Sequence, residues 1–225
     1  GEKDLSYLDS VENNCYTLLR LTRNLECLGV LERPVSTATV DLAALVEALC
    51  TSAETVSREQ NIPFDMDLPP YPVLVRGDKD LLSEAILNIL RNSIQFTRDG
   101  NRVSLRLYVA AGRAVLTIED RGLGIREENL PHIFDAYFSA DPYGDDDAPG
   151  MGLGLAIVKG ATRSFGGTVA LESRYGEGTS VPRPVPRDKG IPGAVLGSEP
   201  ADYLLDRYST VYVQLCGYCR YPNAL

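Results

Sequence analysis

Residues 102–124 read R-V-S-L-R-L-Y-V-A-A-G-R-A-V-L-T-I-E-D-R-G-L-G. Val103, Leu105, Leu107 and Val109 occupy alternate positions, and so do Ala114, Leu116 and Ile118 beyond Ala111-Gly112. Period-two alternation puts one set of side chains on one face of a pleated strand, so two such runs joined by a short turn with glycine predict a β-hairpin. The second strand runs out into Asp120-x-Gly122-x-Gly124, a carboxylate at a strand end followed by two residues that leave the backbone room.

On the N-terminal side of the hairpin, Gly77-Asp78 opens a helix from Leu81 to about Phe96, with Leu82, Ile86, Ile89 and Leu90 on its apolar face. Before it, Asp41 caps an amphipathic helix reaching about Gln60, with Leu42, Leu45, Val46 and Leu49 on one side, and extended pieces follow at 63–67 and 72–75. Leu8, Val11, Cys15, Leu18, Leu21, Leu25 and Leu28 recur at spacings of three and four, one narrow stripe along a long first helix between Leu5 and Leu31. Pro34 and residues 36–39 close that helix as a linker, so it is expected to pack in a bundle or dimer; packing on its own domain is the alternative.

On the C-terminal side, a short helix is expected near Glu127–Phe134, then an Asp- and Gly-rich loop from Asp141 to Gly150 and a helix over about Leu153–Phe165 that Gly166-Gly167 stops. Thr168–Ser173 reads as a strand. Five prolines between Val181 and Pro200 mark an inserted loop or linker, and Thr210–Leu215 reads as a late strand of the same sheet. Helices alternating with antiparallel strands give the α+β class, a two-layer α/β sandwich with a mixed, mostly antiparallel sheet covered by helices and preceded by one long helix.

Composition narrows the function. In 225 residues, 22 Lys and Arg face 31 Asp and Glu, for a formal net charge of −9. No segment clusters the basic residues that phosphate neutralisation demands, which argues against nucleic acid as a partner. No apolar run approaches the ~18 residues of a membrane span, and the opening G-E-K-D-L-S lacks a signal peptide's apolar stretch, so this segment is expected to be soluble and to make no membrane contact. Five scattered cysteines suggest a reducing compartment rather than a disulfide framework. Cys216-Gly-Tyr-Cys219 is half a zinc site at best or, more simply, two reduced thiols.

Four short patterns follow one another: Asn88-x3-Asn92, Asp120-x-Gly122-x-Gly124, Ile133-Phe134-Asp135-x-Tyr137-Phe138 and Gly150-Met-Gly152-Leu-Gly154-Leu155. Three of them have a plain reading beside a functional one. The asparagines share one helix face, as polar surface or as oxygen donors to a hard cation such as Mg²⁺. Asp120 is a turn residue or an acceptor for an exocyclic amine of a flat ligand. The glycines before a helix form a flexible loop or free backbone N–H groups for phosphate oxygens. There is no G-x-x-x-x-G-K-[ST], and the glycine triplet follows an acidic loop instead of a strand, which counts against a dinucleotide fold.

In combination the patterns resemble the histidine-kinase-like ATPase (GHKL) superfamily, specifically the catalytic and ATP-binding domain of bacterial sensor histidine kinases. N-I-L-R-N-S-I-Q-F-T is similar to its N box, D-R-G-L-G to G1, P-H-I-F-D-A-Y-F to the F box, G-M-G-L-G-L-A-I-V-K to G2, and G-E-G-T-S at 176–180 to the closing Gly-Thr segment. The resemblance covers residues 38–181. Residues 1–35 resemble the second helix of the dimerisation and phosphoacceptor hairpin, which leaves 182–225 as a Pro-rich insertion with a late strand.

The resemblance implies a protein-histidine kinase module that uses ATP and Mg²⁺ and passes the γ-phosphoryl group to a histidine on another helix. It implies Asn92 on Mg²⁺ with Asn88 beside it, Asp120 accepting from the adenine amine, and Phe96 against the adenine ring. Gly122, Gly124 and Ile125 would shape the pocket, Gly150, Gly152, Leu153, Gly154 and Leu155 the lid over the triphosphate, and Thr179 would assist near adenine. The implied partners are a response regulator, the protein's own phosphoacceptor helix and a second copy joined through the first helix. The implied location is cytoplasmic, alone or as the inner part of a membrane-anchored sensor.

Departures from the family pattern bear on activity. In the chaperone and topoisomerase branch the residue four before the Mg²⁺-binding Asn is a Glu that activates water; here it is Asn88, which cannot act as a base and so favours transfer to histidine over hydrolysis. Gln95 stands where the family usually has Lys, and Asp135 to Gly150 contains five Asp and no base. Less positive charge around the equatorial oxygens weakens triphosphate binding or slows transfer. Arg91 and Lys159 are the nearest bases in sequence. The alternative function is a degenerate nucleotide-binding or scaffold module with little kinase activity. His132, the single histidine, reads as a packing residue, so the chain is expected to begin after the acceptor helix.

Overall fold

The computed structural model describes residues 2–97, 101–139, 151–173, 175 and 209–215. Its elements in chain order are α1 (Glu2–Leu31), β1 (Ala38–Asp41), α2 (Leu42–Glu59), β2 (Phe64–Asp67), β3 (Leu74–Gly77), α3 (Lys79–Phe96), β4 (Val103–Ala110), β5 (Arg113–Asp120), α4 (Gly154–Ser164), β6 (Thr168–Glu172) and β7 (Ser209–Leu215). Five strands form one sheet in the order β2-β4-β5-β7-β6, with β2 parallel to β4 and the other pairs antiparallel. The α+β class and the mixed, mostly antiparallel sheet are as expected.

The hairpin turns at Ala111-Gly112 as expected, with Val103 opposite Asp120 and Ala110 opposite Arg113. Both central turn residues take positive φ, Ala111 at 45° and Gly112 at 72°, the twist that a two-residue hairpin needs. β7 inserts between β5 and β6, so a strand reached only after the Pro-rich stretch completes the sheet. Leu116 of β5 and Val213 of β7 face Leu82, Ile86 and Ile89 of α3 and Ala161 of α4, the layer where the core sits.

Asp41 and Asp78 cap their helices by accepting backbone N–H groups: Ala43, Ala44 and, across the chain, Val73 for Asp41, and Leu81 for Asp78. Asp41 therefore joins β1, α2 and the start of β3 in one junction.

Two expectations are corrected. Ala38 and Thr39, read as the end of a linker, belong to a strand, Ala38–Asp41, that pairs antiparallel with Leu74–Gly77; four residues are too few for a period to show, and the partner lies far along the chain. The helix expected near Glu127–Phe134 is a succession of tight turns, with amides of Asn129, His132 and Asp135 each bonded to the carbonyl three residues back. Pro131 has no amide to donate to a helical ladder. For α1, the alternative of packing on its own domain holds over its C-terminal part. Asn24 and Cys27 are buried and Leu28 and Leu31 pack on the core, while Val11, Cys15, Leu18 and Leu25 of the predicted stripe are exposed.

Candidate functional site

A cleft of about 190 Å³ opens between α3, α1, the end of β5 and the start of α4. Asn88, Asn92, Gln95 and Phe96 reach it from α3, and Asp120, Gly124 and Ile125 from the end of β5 and its turn. Gly152, Leu153, Gly154 and Leu155 close it from the start of α4. Gly122 lies in the turn beneath the cleft instead of on its wall. Gly150, Thr179, the acidic segment 141–150 and Cys216 and Cys219 lie outside the described residues.

The deep end is built by the junction of α3 with β5. The last turn of α3 bends into Thr97, which bridges Gly122, and the Leu123 amide donates to the Phe96 carbonyl at 3.2 Å. The Gly122 amide donates to Asp120 Oδ1 at 3.0 Å. A Cβ on Gly122 would lie 2.5 Å from the Phe96 carbonyl oxygen and 2.8 Å from Asp120 Oδ1, so glycine is required here by contact, not by φ. Asp120 is only 8% exposed. Burial pushes its carboxyl up to about 7, opposed by the Gly122 amide and the Ser93 hydroxyl, which favour the carboxylate. The result is a desolvated acceptor with a free face toward a cleft whose wall includes Phe96, suited to a flat ligand that donates a hydrogen bond.

The other end is assembled from helices. Asn88 is buried and its Nδ2 donates to Asn24 Oδ1 of α1 at 3.4 Å. Its Oδ1 lies 3.1 Å from where a Cβ on Gly154 would stand, so a side chain there would crowd the amide. α4 starts with no side chain accepting from its first amides, and its opening residues line the cleft, which leaves backbone N–H groups available to an anion. Gly152 has φ +65° and a Cβ there would meet the Phe138 carbonyl at 2.3 Å; its own carbonyl accepts from the Tyr137 amide. The segment before α4 is thus tied to the segment around Phe138.

Glu84, one turn before Asn88, is buried and held by Arg91 at 3.0 Å and Arg23 at 4.0 Å. That carboxylate is therefore engaged by two cations. Among the described residues no group of three His, Cys, Asp or Glu could hold a metal ion. Asn92 is a hard oxygen donor on the cleft wall, which suits a Mg²⁺ ion that arrives with phosphate oxygens and keeps most of its waters. His132 is exposed, pairs with Asp135 at 3.1 Å and is not part of the cleft wall.

Sequence reading did not foresee the contribution of α1, since Arg20, Leu21 and Asn24 lie some sixty residues before the helix they face. Ser93 was also missed as a partner of Asp120, although its place one residue after Asn92 could have raised it. The two bases singled out by sequence proximity, Arg91 and Lys159, do not line the cleft, whereas Arg20 and Arg126 do. No described helix is long and apolar enough to cross a membrane.

Residues 77–187 match the family described as histidine kinase-, DNA gyrase B-, and HSP90-like ATPase. The chain is 27% identical over 172 residues to sensor protein KdpD of Clostridium acetobutylicum, covering 76% of this chain and 19% of that protein. It is 30% identical over 148 residues to sensor-like histidine kinase SenX3 of Mycolicibacterium smegmatis, covering 65% of this chain and 38% of that one. The chain therefore spans well under half of the curated relatives it matches. Among solved structures, the mycobacterial sensor histidine kinase MprB aligns with a TM-score of 0.55 and 28% identity over 81% of this chain and 99% of MprB's. Full-length ShkA in complex with AMPPNP shares the fold, with a TM-score of 0.68 at 19% identity over 97% of this chain and 40% of that one. Sequence motifs, cleft and relatives agree that residues 77–187 are a domain of the histidine kinase-, DNA gyrase B- and HSP90-like ATPase family, similar to the catalytic, ATP-binding domain of sensor histidine kinases.

Proposed function

We propose that the cleft binds ATP with adenine at the Asp120 end and the phosphates along Asn88, Asn92 and the start of α4, for transfer of the γ-phosphoryl group to a histidine other than His132. The observation that carries this reading is the buried carboxylate of Asp120, held by Gly122 and Ser93 at the closed end of the cleft. A carboxylate there accepts from the adenine amine, and Phe96 lies within the same wall to meet the ring.

Asn92, with Asn88 beside it, would hold Mg²⁺ through an amide oxygen. When bound, the ion neutralises charge on the phosphate oxygens. The protein's own residues orient the nucleotide: α4 amides face the phosphates, and Leu123, Leu153 and Leu155 line the cleft with apolar surface that excludes water. In the reaction an imidazole nitrogen attacks the γ-phosphorus, the bond to the β–γ bridging oxygen breaks, ADP leaves and the imidazole proton is lost. Hydrolysis is disfavoured because Asn88 is an amide engaged by Asn24 and Glu84 is engaged by arginines.

A response regulator is the proposed acceptor downstream, and a second copy is proposed to pair through α1, whose Val11, Leu18 and Leu25 are exposed on one stripe. The proposed location is the cytoplasm, where ATP is supplied. The test joins a histidine-bearing helix to this chain and supplies γ-labelled ATP with Mg²⁺. Acid-labile label on that histidine is the expected result; no label with the folded protein would overturn the kinase reading in favour of a scaffold.

A further inference from the structure

We infer that Arg20 of α1 is a polyphosphate-binding residue of this cleft, supplying from a neighbouring helix positive charge that Gln95 and the acidic segment do not. The inference rests on the nucleotide reading above and adds a specific side chain to it. Gln95 is neutral and the span from Asp135 to Gly150 has five Asp and no Lys or Arg, so these stretches of sequence bring no positive charge of their own. A tetra-anionic ligand needs countercharge near its terminal oxygens.

Helix register places Arg20 where that charge is needed. Arg23 reaches Glu84 at 4.0 Å and Asn24 holds Asn88 at 3.4 Å. Arg20 lies one turn before Asn24 on α1 and feels the charge of Arg91, one turn after Asn88 on α3. Stepping back one turn from Asn24 therefore leads toward Arg91, on the Asn92 side of Asn88. Arg20 lines the same cleft as Asn92 and the opening residues of α4. Partial burial and the neighbouring Arg91 hold the Arg20 guanidinium below its ordinary proton affinity, the situation that a bound anion relieves.

Docking of α1 is then part of the binding site. Leu31 near its C-terminal end lies 2.6 Å from where a Cβ on Gly160 of α4 would stand, and Asn24 joins it to α3, so the helix is fitted against both elements that frame the phosphate end.

The test is calorimetric titration of the full chain, with Mg²⁺, using adenosine and a nonhydrolysable ATP analogue on the unaltered protein, Arg20→Gln and Arg20→Lys. The expected result is a loss of about ten- to a hundredfold in affinity for the ATP analogue in Arg20→Gln, adenosine affinity unchanged, and recovery of most of the loss in Arg20→Lys. Equal loss for both ligands would assign Arg20 a structural role and overturn the inference, as would unchanged affinity for the analogue. If the unaltered protein binds neither ligand, the nucleotide reading itself fails; if it binds both and Arg20→Gln binds them alike, only this inference fails.

Discussion

The two ends of the cleft are built in opposite ways. The Asp120 end is a single junction: the last turn of α3 and the turn after β5 bond to each other through Thr97, Gly122, Phe96 and Leu123, and the Asp120 carboxylate is held by the Gly122 amide two residues on. The Asn88 end has no such local closure. It brings together α1, α3 and α4, and the hydrogen bond that joins Asn24 to Asn88 spans 64 residues. A site end closed by adjacent backbone holds its shape whatever the other elements do. One assembled by helix docking changes whenever a helix moves, and this is the end where phosphates would bind.

The strongest way to break the local end is Gly122→Ala. Its Cβ would sit 2.5 Å from the Phe96 carbonyl oxygen, a backbone atom that cannot swing away, so a loss of about 2–3 kcal/mol in urea unfolding is expected. Asn24→Ala strikes the assembled end by leaving the buried Asn88 amide without its partner, at about 1–2 kcal/mol. The same variant should weaken binding of an ATP analogue while leaving adenosine affinity unchanged, because only the phosphate end depends on α1.

A pH series separates the ends further. Burial pushes Asp120 up to about 7 from an ordinary 3.8, so the folded protein holds this proton more tightly than the unfolded chain does. Its contribution to stability is fully present below the ordinary value and is lost as pH rises through about 7. On the proposed reading the adenine amine donates to this carboxylate, so adenosine affinity is expected to be level above pH 7 and to fall by up to about tenfold per unit below it. Asp120→Asn should remove that dependence. The smallest effect is expected at Gly29→Ala, inside α1, where a Cβ meets nothing within 4 Å. Helix propensity alone predicts a gain of about 0.5–1 kcal/mol with no change in nucleotide affinity.

The same contrast explains what could be read without coordinates. The hairpin, α3 and the Asp120 turn are short-range features, visible as a period of two, a capped period of 3.6 and two spaced glycines. Those elements stand where the pattern places them, with Asn88, Asn92, Phe96 and Asp120 on one cleft. β1, Arg20 and Asn24 were not legible, because each gains its role only from a partner far along the chain. The segment around Glu127–Phe134 misled in another way, since its polar and apolar residues mimic a helix while Pro131 removes one of the amides a helix would use.

The most direct measurement of the central claim is calorimetric titration of the intact chain with a nonhydrolysable ATP analogue and Mg²⁺, repeated on Asp120→Asn at pH 8. Saturable one-site binding by the unaltered protein, reduced about a hundredfold or more by Asp120→Asn with unfolding stability retained, is the predicted result. No binding at millimolar ligand, or equal binding by both proteins, would contradict it.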